Sequence, residues 1–279
     1  MTDYFLKTKR HLEGFRAFLI KDYLIFSSYK LVFVGSLISI IIGMIIFFNL
    51  SNFVEINENQ YLKKYGNNYF VFVILGLAIV DLCNQIASAL SREMRNNLVT
   101  GIFEELVLYS NSLASLFIYS YAFPIVQGLI RFYLYLMIAA LVYGESAFLN
   151  VFSLEVLLIL FLTILSFIGF GLIGSAFVII FKRGDPINLL NLGATSILSG
   201  ILYPTSVLPA FLQNLSQFLP ITHSLELIRL SIISDSNLFE ANLFNWIALL
   251  GMSLFLIFIG LLLARKSVTI AKRGGLLIY

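Results

Sequence analysis

The chain has 279 residues, of which 59% are hydrophobic and only 12% are charged, and its mean hydropathy is +0.94. A soluble domain carries about 25% charged residues because its surface must face water, so this composition excludes an ordinary soluble protein and requires lipid as the solvent. The formal net charge of +3 is small and gives no indication of a nucleic-acid partner.

The first 29 residues predict an amphipathic helix that lies in the membrane interface. Apolar residues recur at three-, four- and seven-residue steps, and charged residues occupy another side. The apolar positions are Phe5, Leu12, Phe15, Leu19, Tyr23 and Phe26, and the charged positions are Lys9, Glu13 and Arg16. Because the first 22 residues carry charges throughout and lack a leading apolar core, we expect no cleavable signal peptide. The helix could anchor the chain or dock a partner, and both remain open.

Six segments are candidates for membrane spans, each of which needs about 20 apolar residues. They are Leu31–Phe48, Asn68–Leu90, Leu113–Tyr143, Val156–Phe181, Pro186–Tyr203 and Leu243–Ala264. The sequence therefore predicts an all-α integral membrane protein with six transmembrane helices and a single transmembrane domain over residues 1–279. The single cysteine, Cys83, lies in an apolar segment, so neither an intrachain disulfide nor a thiolate metal cluster can form.

Lysine and arginine residues fall almost entirely on one side if the six spans cross with both termini in the cytoplasm. The inner set is Lys7, Lys9, Arg10, Arg16, Lys21, Lys30, Arg92, Arg95, Lys182, Arg183, Arg265, Lys266, Lys272 and Arg273. Outside there remain Lys63, Lys64 and Arg229, whereas Arg131 falls within a span. This bias follows the positive-inside rule, and an odd number of spans would destroy it. We therefore expect cytoplasmic N- and C-termini.

The inner segment 91–112, SREMRNNLVTGIFEELVLYSNS, is charged and largely helical in pattern. It carries the charged side chains of Arg92, Glu93, Arg95, Glu104 and Glu105, and Gly101 breaks it before a new helical turn. A charged, helical, cytoplasmic segment offers a surface on which another protein can bind. An ordinary solvated loop is the alternative interpretation.

Residues 204–233 predict two short helices at the outer side, between the fifth and sixth spans. Pro209 suits the first turn of one helix, Pro220 ends it, and Glu226 and Arg229 form an i, i+3 pair in the next. Neither helix is long enough to span, which indicates a re-entrant hairpin that enters the outer leaflet and returns. Such backbone needs protein or a water-filled cavity around it, so it suggests the outer mouth of a pathway. A hairpin lying on the surface is the alternative.

Asp81 and Arg131 are charged residues inside predicted spans. Counted from the outer ends of their helices, each lies about 20 Å deep at 1.5 Å per residue. Helices joined by a short loop are usually neighbours, and a charge within the bilayer costs about 2.5–3.5 kcal/mol on insertion scales. We therefore predict an ion pair, which could line a substrate path or lock two helices together.

Several catalytic and binding motifs are absent from the sequence. There is no G-x-x-x-x-G-K-[ST] loop for a nucleotide phosphate, no H-E-x-x-H, and no G-x-S-x-G. The two histidines, His11 and His223, stand at opposite ends of the chain and make a metal site improbable. We expect no enzymatic activity, no catalytic residues and no cofactor on this chain.

The segment SGILYPTSVLPAFLQNLSQFLPITHSLELIR resembles the Gly, Tyr-Pro, Leu-Pro and Leu-Pro-x-Thr-x-x-x-Glu-x-x-Arg pattern of the permease family of type-2 ABC exporters. The residues that carry it are Gly200, Pro204, Pro209, Pro220, Thr222, Glu226 and Arg229. The inner segment resembles the family's coupling helix, with Glu93, Gly101, Glu104 and Glu105 in the expected order. One departure is the proline that often follows that helix, since Ser110 and Asn111 stand in its place.

The resemblance implies a permease subunit that exports an amphiphilic drug, lipid or lipid-linked glycan across the cytoplasmic membrane of a prokaryote. It implies two such subunits, most simply a homodimer surrounded by membrane lipid, and a separate ATPase subunit that binds ATP and magnesium. Coupling to the ATPase would involve Arg92, Glu93, Arg95, Gly101, Glu104 and Glu105. The pathway or gate would include Asp81, Arg131, Tyr203, Pro204, Pro209, Pro220, Glu226 and Arg229, with the aromatic residues Tyr119, Tyr121 and Phe123 as further candidates.

Two other functions stay open at this point. An ion-coupled secondary transporter would need intramembrane carboxylates or broken helices, and Asp81 is the one residue that qualifies. A noncatalytic scaffold subunit of another membrane complex would account for the inner segment but not for the outer hairpin.

Overall fold

The computed structural model describes residues 2–28, 30–55, 62–65, 68–103, 105–106, 113–143, 151–182, 184–233 and 242–273, and the regular structure in these ranges is helical throughout. The helices are α1 (Thr2–Ser28), α2 (Lys30–Glu55), α3 (Tyr69–Val99), α4 (Leu113–Tyr143), α5 (Leu154–Phe181), α6 (Pro186–Leu198), α7 (Ala210–Ser216), α8 (Pro220–Ile233) and α9 (Leu243–Arg273). Short 3₁₀ turns occupy Lys63–Tyr65 and Thr205–Val207. The predicted all-α class is confirmed.

Five of these helices contain a stretch long and apolar enough to cross a bilayer. The stretches are Val34–Phe53 in α2, Tyr69–Val99 in α3, Leu116–Leu141 in α4, Leu154–Phe181 in α5 and Leu243–Ala271 in α9. The segment predicted as a further span, Pro186–Tyr203, contains the 13-residue helix α6 instead of a full-length one. This helix ends at Leu198 because Gly200 takes a left-handed conformation with φ of +78°, which turns the chain. The count of six spans therefore stays a prediction.

Helix α3 is the centre of the bundle. Helices α2, α4, α5, α6 and α8 all pack against it. All of residues 69–76 at its start are buried, and further along the helix Ile79 and Ile86 are each 0% exposed. A stretch of helix that is apolar all round is stable only when other helices cover it, which explains why the start of α3 lies at the centre.

Close packing around α5 depends on glycines. A Cβ atom at Gly169 would lie 2.6 Å from the carbonyl carbon of Leu256 in α9, and one at Gly260 would lie 2.8 Å from the carbonyl oxygen of Gly169. Small residues let two backbones approach closely, which is how helices associate inside a bilayer. Gly169 and Gly260 therefore bring α5 and α9 together along one shared face.

Helix α1 lies against α4 and α2. Phe15 and Phe18 pack against Tyr119 at ring-centroid distances of 6.0 and 5.8 Å, and Phe26 packs against Phe123 at 5.7 Å. These aromatic contacts fix one face of α1 on the bundle. Tyr23, which we predicted on the apolar face, is 61% exposed. The side chains of Phe5 and Leu12 lie outside the described residues, and the interfacial role of α1 stays a prediction.

Residues 204–233 fold as a 3₁₀ turn followed by α7 and α8. Pro209 stands immediately before α7 as its capping residue. The prediction that Pro220 ends this helix is wrong, because α7 stops at Ser216 and Pro220 is the first residue of α8. Proline suits both places because neither position needs a backbone N–H inside a helix. Phe211 of α7 and Phe218 just after it are 72% and 77% exposed, so the described residues leave these two aromatic side chains largely uncovered.

Candidate functional site

Arg229 of α8 is the most extensively bonded charged residue among those described, and it is 2% exposed. Its Nη1 donates to the carbonyl oxygen of Gly200 at 2.8 Å, and its Nη2 donates to that of Ile201 at 2.9 Å. Nε and Nη2 also reach the carbonyl oxygen of Phe72 in α3 at 3.2 and 3.0 Å. One guanidinium group thus joins three parts of the structure: α8, the turn after α6, and the first turns of α3.

Gly76 makes this arrangement possible. A Cβ at this position would lie 2.8 Å from the carbonyl oxygen of Ile201 and 3.0 Å from Nη2 of Arg229. The missing side chain lets the turn after α6 and the guanidinium group approach α3 directly. The fork of donors in arginine, which stays protonated, can satisfy several carbonyl oxygens at once, whereas a turn buried without such a partner would leave them unpaired.

Glu226 does not pair with Arg229, so this predicted i, i+3 pair is wrong. Glu226 forms an ion pair with Lys64 and accepts a hydrogen bond from the hydroxyl of Tyr65 at 2.5 Å. Burial and the charge of Glu226 both raise the pKa of the Tyr65 hydroxyl, which keeps it protonated as a donor. The pair does not form because Arg229 turns inward to backbone carbonyls, whereas Glu226 turns toward the 3₁₀ turn between α2 and α3.

A polar cavity of about 360 Å³ lies beside this network. Its walls include Lys64, Glu226 and His223, with Phe244 of α9 at one side. His223 is 3% exposed; its Nε2 donates to the carbonyl oxygen of Gln217 at 2.9 Å, and its Nδ1 lies 2.8 Å from Oδ1 of Asn245. One imidazole therefore joins the end of α7, helix α8 and the start of α9.

Tyr203 and Pro204 shape the turn after α6. The hydroxyl of Tyr203 donates to the carbonyl oxygen of Ile197 at 2.6 Å, which folds the chain back on the end of α6. Pro204 is buried, and its extended backbone precedes the 3₁₀ turn. Both residues lie at the same end of the bundle as Arg229, so the structure brings the predicted hairpin residues into one region.

The predicted ion pair between Asp81 and Arg131 is confirmed. Arg131 Nε lies 2.7 Å from Asp81 Oδ2, and its Nη2 donates to Oδ1 at 3.1 Å. Gln85 also donates to Asp81, at 3.1 Å. The two charged side chains are 20% and 23% exposed, so the pair is mostly covered and joins α3 to α4. Whether it also lines a pathway stays a prediction.

The predicted coupling segment begins on the last turns of α3. Arg92 and Arg95 are exposed, whereas Glu93 accepts a hydrogen bond from Lys21 of α1 at 2.6 Å. Gly101 has φ of +73°, which ends the helix at a conformation that glycine adopts freely. Beyond it, Glu105 is exposed. Glu104 and residues 107–112 lie outside the described residues.

The aromatic pathway candidates on α4 mostly pack against neighbouring helices. Tyr119 contacts Phe15 and Phe18 of α1, and Tyr121 is 4% exposed and donates to the carbonyl oxygen of Ile168 at 3.2 Å. Phe123 borders a cavity on the α1 side of the bundle.

Sequence reasoning missed Lys21, Lys64, Tyr65, His223 and Asn245 as parts of these networks. Lys64 and Tyr65 stand in a loop and Asn245 begins a span, so their partners depend on tertiary contacts that no local pattern encodes. Within the described ranges, no group of three or more His, Cys, Asp or Glu side chains could hold a metal ion.

The comparisons with known proteins assign a family. A family model described as ABC-2 type transporter matches residues 14–233, from the first half of α1 to the end of α8. The match therefore includes both segment 91–112 and the network around Arg229. The search of the curated proteins found no match.

Proposed function

We propose that this chain, which belongs to the ABC-2 type transporter family, is the permease subunit of an ATP-driven exporter whose ATPase is a separate polypeptide. Membership in the family makes it a transmembrane component of an ABC transporter. The finer proposal is outward movement of an amphiphilic drug, lipid or lipid-linked glycan. The observation that carries it is the contrast between the two ends of the bundle, a charged surface at one end of α3 and a turn-rich polar network at the other.

The position of α6 supports a sixth crossing. Asp185, just before α6, and Ser91 of α3 both lie within 3.0 Å of a Cβ placed at Gly174. At the other end, the carbonyl oxygen of Ile201 lies against Gly76 of α3. Since Gly76 and Ser91 are 15 positions apart, the segment follows α3 over about 22 Å at 1.5 Å per residue. We infer that residues 185–201 cross most of the bilayer as a short helix and a turn.

The distribution of basic residues supports cytoplasmic termini. With six crossings, the ends of α3 and α5 that carry Arg92, Arg95 and Lys182 lie on the cytoplasmic side, and Lys64 lies outside. The inner segment around Gly101 then faces the cytoplasm, where an ATPase can bind it. Exposed Arg95 and Glu105 offer charges of both signs for this partner.

The export mechanism follows from this arrangement. ATP binding on a pair of ATPase subunits would draw two copies of segment 91–112 together, and the attached helices would tilt as rigid bodies. The outer turn and hairpin would separate between the two copies, which we propose form a homodimer in the cytoplasmic membrane. This chain contributes motion and access, whereas ATP and magnesium are bound by the partner.

An ion-coupled carrier is less well supported. Its expected coupling group, Asp81, already has a cation partner in Arg131 and a neutral donor in Gln85. A carboxylate neutralised in this way has little need of a transported cation. Dependence of transport on ATP, with no dependence on a proton or sodium gradient, would distinguish the two functions.

The test is to purify the tagged chain from its native membrane in mild detergent and identify the bound proteins by mass spectrometry. We expect a stoichiometric soluble ATPase that contains a phosphate-binding loop. Charge reversal at Glu104 and Glu105 together should weaken this association, and charge reversal at Glu155, at the opposite end of the bundle, should not. Purification of the chain without an ATPase, even after crosslinking, would contradict the proposal.

A further inference from the structure

A cavity of about 430 Å³ opens between α1, α2, α3 and α4, apart from the outer network. It lies beside the last turns of α3, at the end that we propose to be cytoplasmic. Its lining combines charged side chains with apolar ones from α1 and α4. The charged members are Asp22, Arg92, Glu93 and Arg131.

Three side chains with N–H donors reach this cavity without a partner in the described parts of the chain. Arg92 forms neither an ion pair nor a hydrogen bond there, and the side-chain amides of Asn96 and Gln127 form no hydrogen bonds there. Arg92 and Asn96 are one helical turn apart on α3, so their donors project from the same face. A cation near the bilayer with unused donors is an arrangement that favours an anionic ligand.

The other charges in the cavity have ion-pair partners, but two carboxylates share one lysine. Asp81 neutralises Arg131. Lys21 lies 2.6 Å from Glu93 and 3.2 Å from Asp22, so these three groups carry a net charge of −1 together. The cavity thus has one cationic end at Arg92 and one end with surplus acceptors at Asp22. Burial also raises the pKa of the Asp22 carboxyl, even though Lys21 opposes that effect.

Apolar groups adjoin the charged ones. Phe26 and Phe123 border the cavity, and Ile25 of α1 is 52% exposed beside it. On the same helix, Leu24 is 56% exposed. An alkyl chain can therefore extend along α1 into the bilayer while a polar head group occupies the cavity, as basic pockets between transmembrane helices do with lipid head groups.

We propose that this cavity binds the phosphate head group of an amphiphile, with the phosphate at Arg92, Asn96 and Gln127. An amine or hydroxyl group beyond the phosphate would donate to Asp22. The proposal rests on the proposed function for its orientation in the membrane and narrows the substrate class to phosphorylated amphiphiles. Either a resident bilayer phospholipid or the transported molecule can supply this phosphate head group.

The test uses the full chain, purified in a maltoside detergent that carries no phosphate. Phosphatidylethanolamine is titrated and its retention measured by native mass spectrometry, with diacylglycerol of the same acyl chains as the probe without phosphate. We expect Arg92→Gln to weaken phosphatidylethanolamine binding about tenfold or more, since a charge-assisted hydrogen bond is lost. Arg95→Gln, which removes an exposed charge one turn away and outside the cavity, should leave binding unchanged. Unchanged elution volume and thermal unfolding of both variants would show that they are folded.

Equal affinity of the Arg92→Gln and Arg95→Gln variants for phosphatidylethanolamine would overturn the proposal. Retention of diacylglycerol equal to that of phosphatidylethanolamine would overturn it as well. A second variant, Asp22→Asn, should weaken phosphatidylethanolamine more than phosphatidic acid, which lacks the amine. To distinguish the two sources, the lipid-loaded chain and its ATPase are placed in vesicles and given ATP. Release of the bound lipid identifies a transported substrate, whereas retention through turnover identifies a resident lipid. If phosphatidylethanolamine binding depends on Arg92 but no ATPase is found, the lipid site is supported and only the exporter proposal is contradicted.

Discussion

The guanidinium carbon of Arg229 lies 3.4 Å from the ring centroid of Phe72, and the same guanidinium group donates to the backbone carbonyl of Phe72. The two residues are 157 positions apart in the sequence. A cation over an aromatic face is stabilised by the quadrupole of the ring, and the effect is larger where water is excluded. The first turns of α3 are therefore joined to α8 through one side chain, which uses both its planar group and its hydrogen-bond donors.

The first prediction concerns this connection. Arg229→Lys should lower the free energy of unfolding by about 2–4 kcal/mol, because an ammonium group cannot reach three carbonyl oxygens in different directions and lacks the planar stack. Thermal unfolding in detergent measures the effect. Arg95→Lys is the matched control, since Arg95 is exposed on the same bundle. A loss no larger at Arg229 than at Arg95 would contradict the inferred role.

The second prediction concerns the ion pair between Asp81 and Arg131. Each single change, Asp81→Asn or Arg131→Gln, should cost about 1–3 kcal/mol of stability, because it leaves a mostly covered charge without its partner. The double change should cost less than the sum of the two, with a coupling energy of at least about 1 kcal/mol. The free energies of unfolding of the wild type, the two single variants and the double variant, measured under one condition, complete this double-mutant cycle. Strict additivity would show that the contact carries no energy of its own.

These two sites show what the sequence could and could not predict. Asp81 and Arg131 stand at matching depths of consecutive antiparallel helices, so charge and helical rise were enough to pair them. Arg229 offered an equally simple partner, Glu226 at i, i+3, but its true acceptors are backbone carbonyls of Phe72, Gly200 and Ile201. No side-chain pattern marks a carbonyl as an acceptor. Only the approach of the turn to Gly76, a tertiary event, exposes them to the guanidinium group.

The ends of the helices show the same difference between what the sequence could and could not predict. Long apolar runs predicted α3, α4, α5 and α9 well, because bilayer thickness dictates their length. Residues 186–203 had the hydropathy of a span, yet the helix ends at Leu198 where Gly200 turns left-handed. Hydropathy reports whether a segment can enter lipid, and it does not report whether its backbone remains helical.

The third prediction concerns the contact between α5 and α9. Gly169→Ala should destabilise the protein by about 1–3 kcal/mol, because the new methyl group would meet backbone atoms of Leu256 at 2.6 Å, and backbone cannot rotate away. Gly251→Ala on α9 meets nothing within 4 Å and should be neutral or slightly stabilising, since alanine favours helix more than glycine does. Unfolding midpoints of the two variants provide the comparison. Equal effects would mean that the helices are not held at this distance.

The last prediction concerns the attachment of α1 to the bundle through Lys21. Burial lowers the pKa of this ammonium group, but hydrogen bonding and attraction by Glu93, with Asp22, outweigh burial, so its pKa is raised overall. Because the pKa of Lys21 is higher in the folded protein, the contact stabilises the fold fully at pH values below the pKa of this lysine in the unfolded chain. The stabilisation is lost as the pH rises through the pKa of Lys21 in the folded protein. From about pH 7 to about pH 9, well below the pKa of lysine, the contact should therefore be constant.

Lys21→Gln should release α1 from α3 without unfolding the bundle. Because Lys21 is 39% exposed, the contact is worth no more than about 1 kcal/mol, so amide hydrogen exchange in α1 should accelerate up to about fivefold. Arg16→Gln, on an exposed position of the same helix, should leave exchange unchanged. The difference should persist across about pH 7–9 after correction for intrinsic exchange. Acceleration of the same size in both variants would show that the aromatic contacts with Tyr119 and Phe123, and not the Lys21–Glu93 ion pair, hold α1 in place.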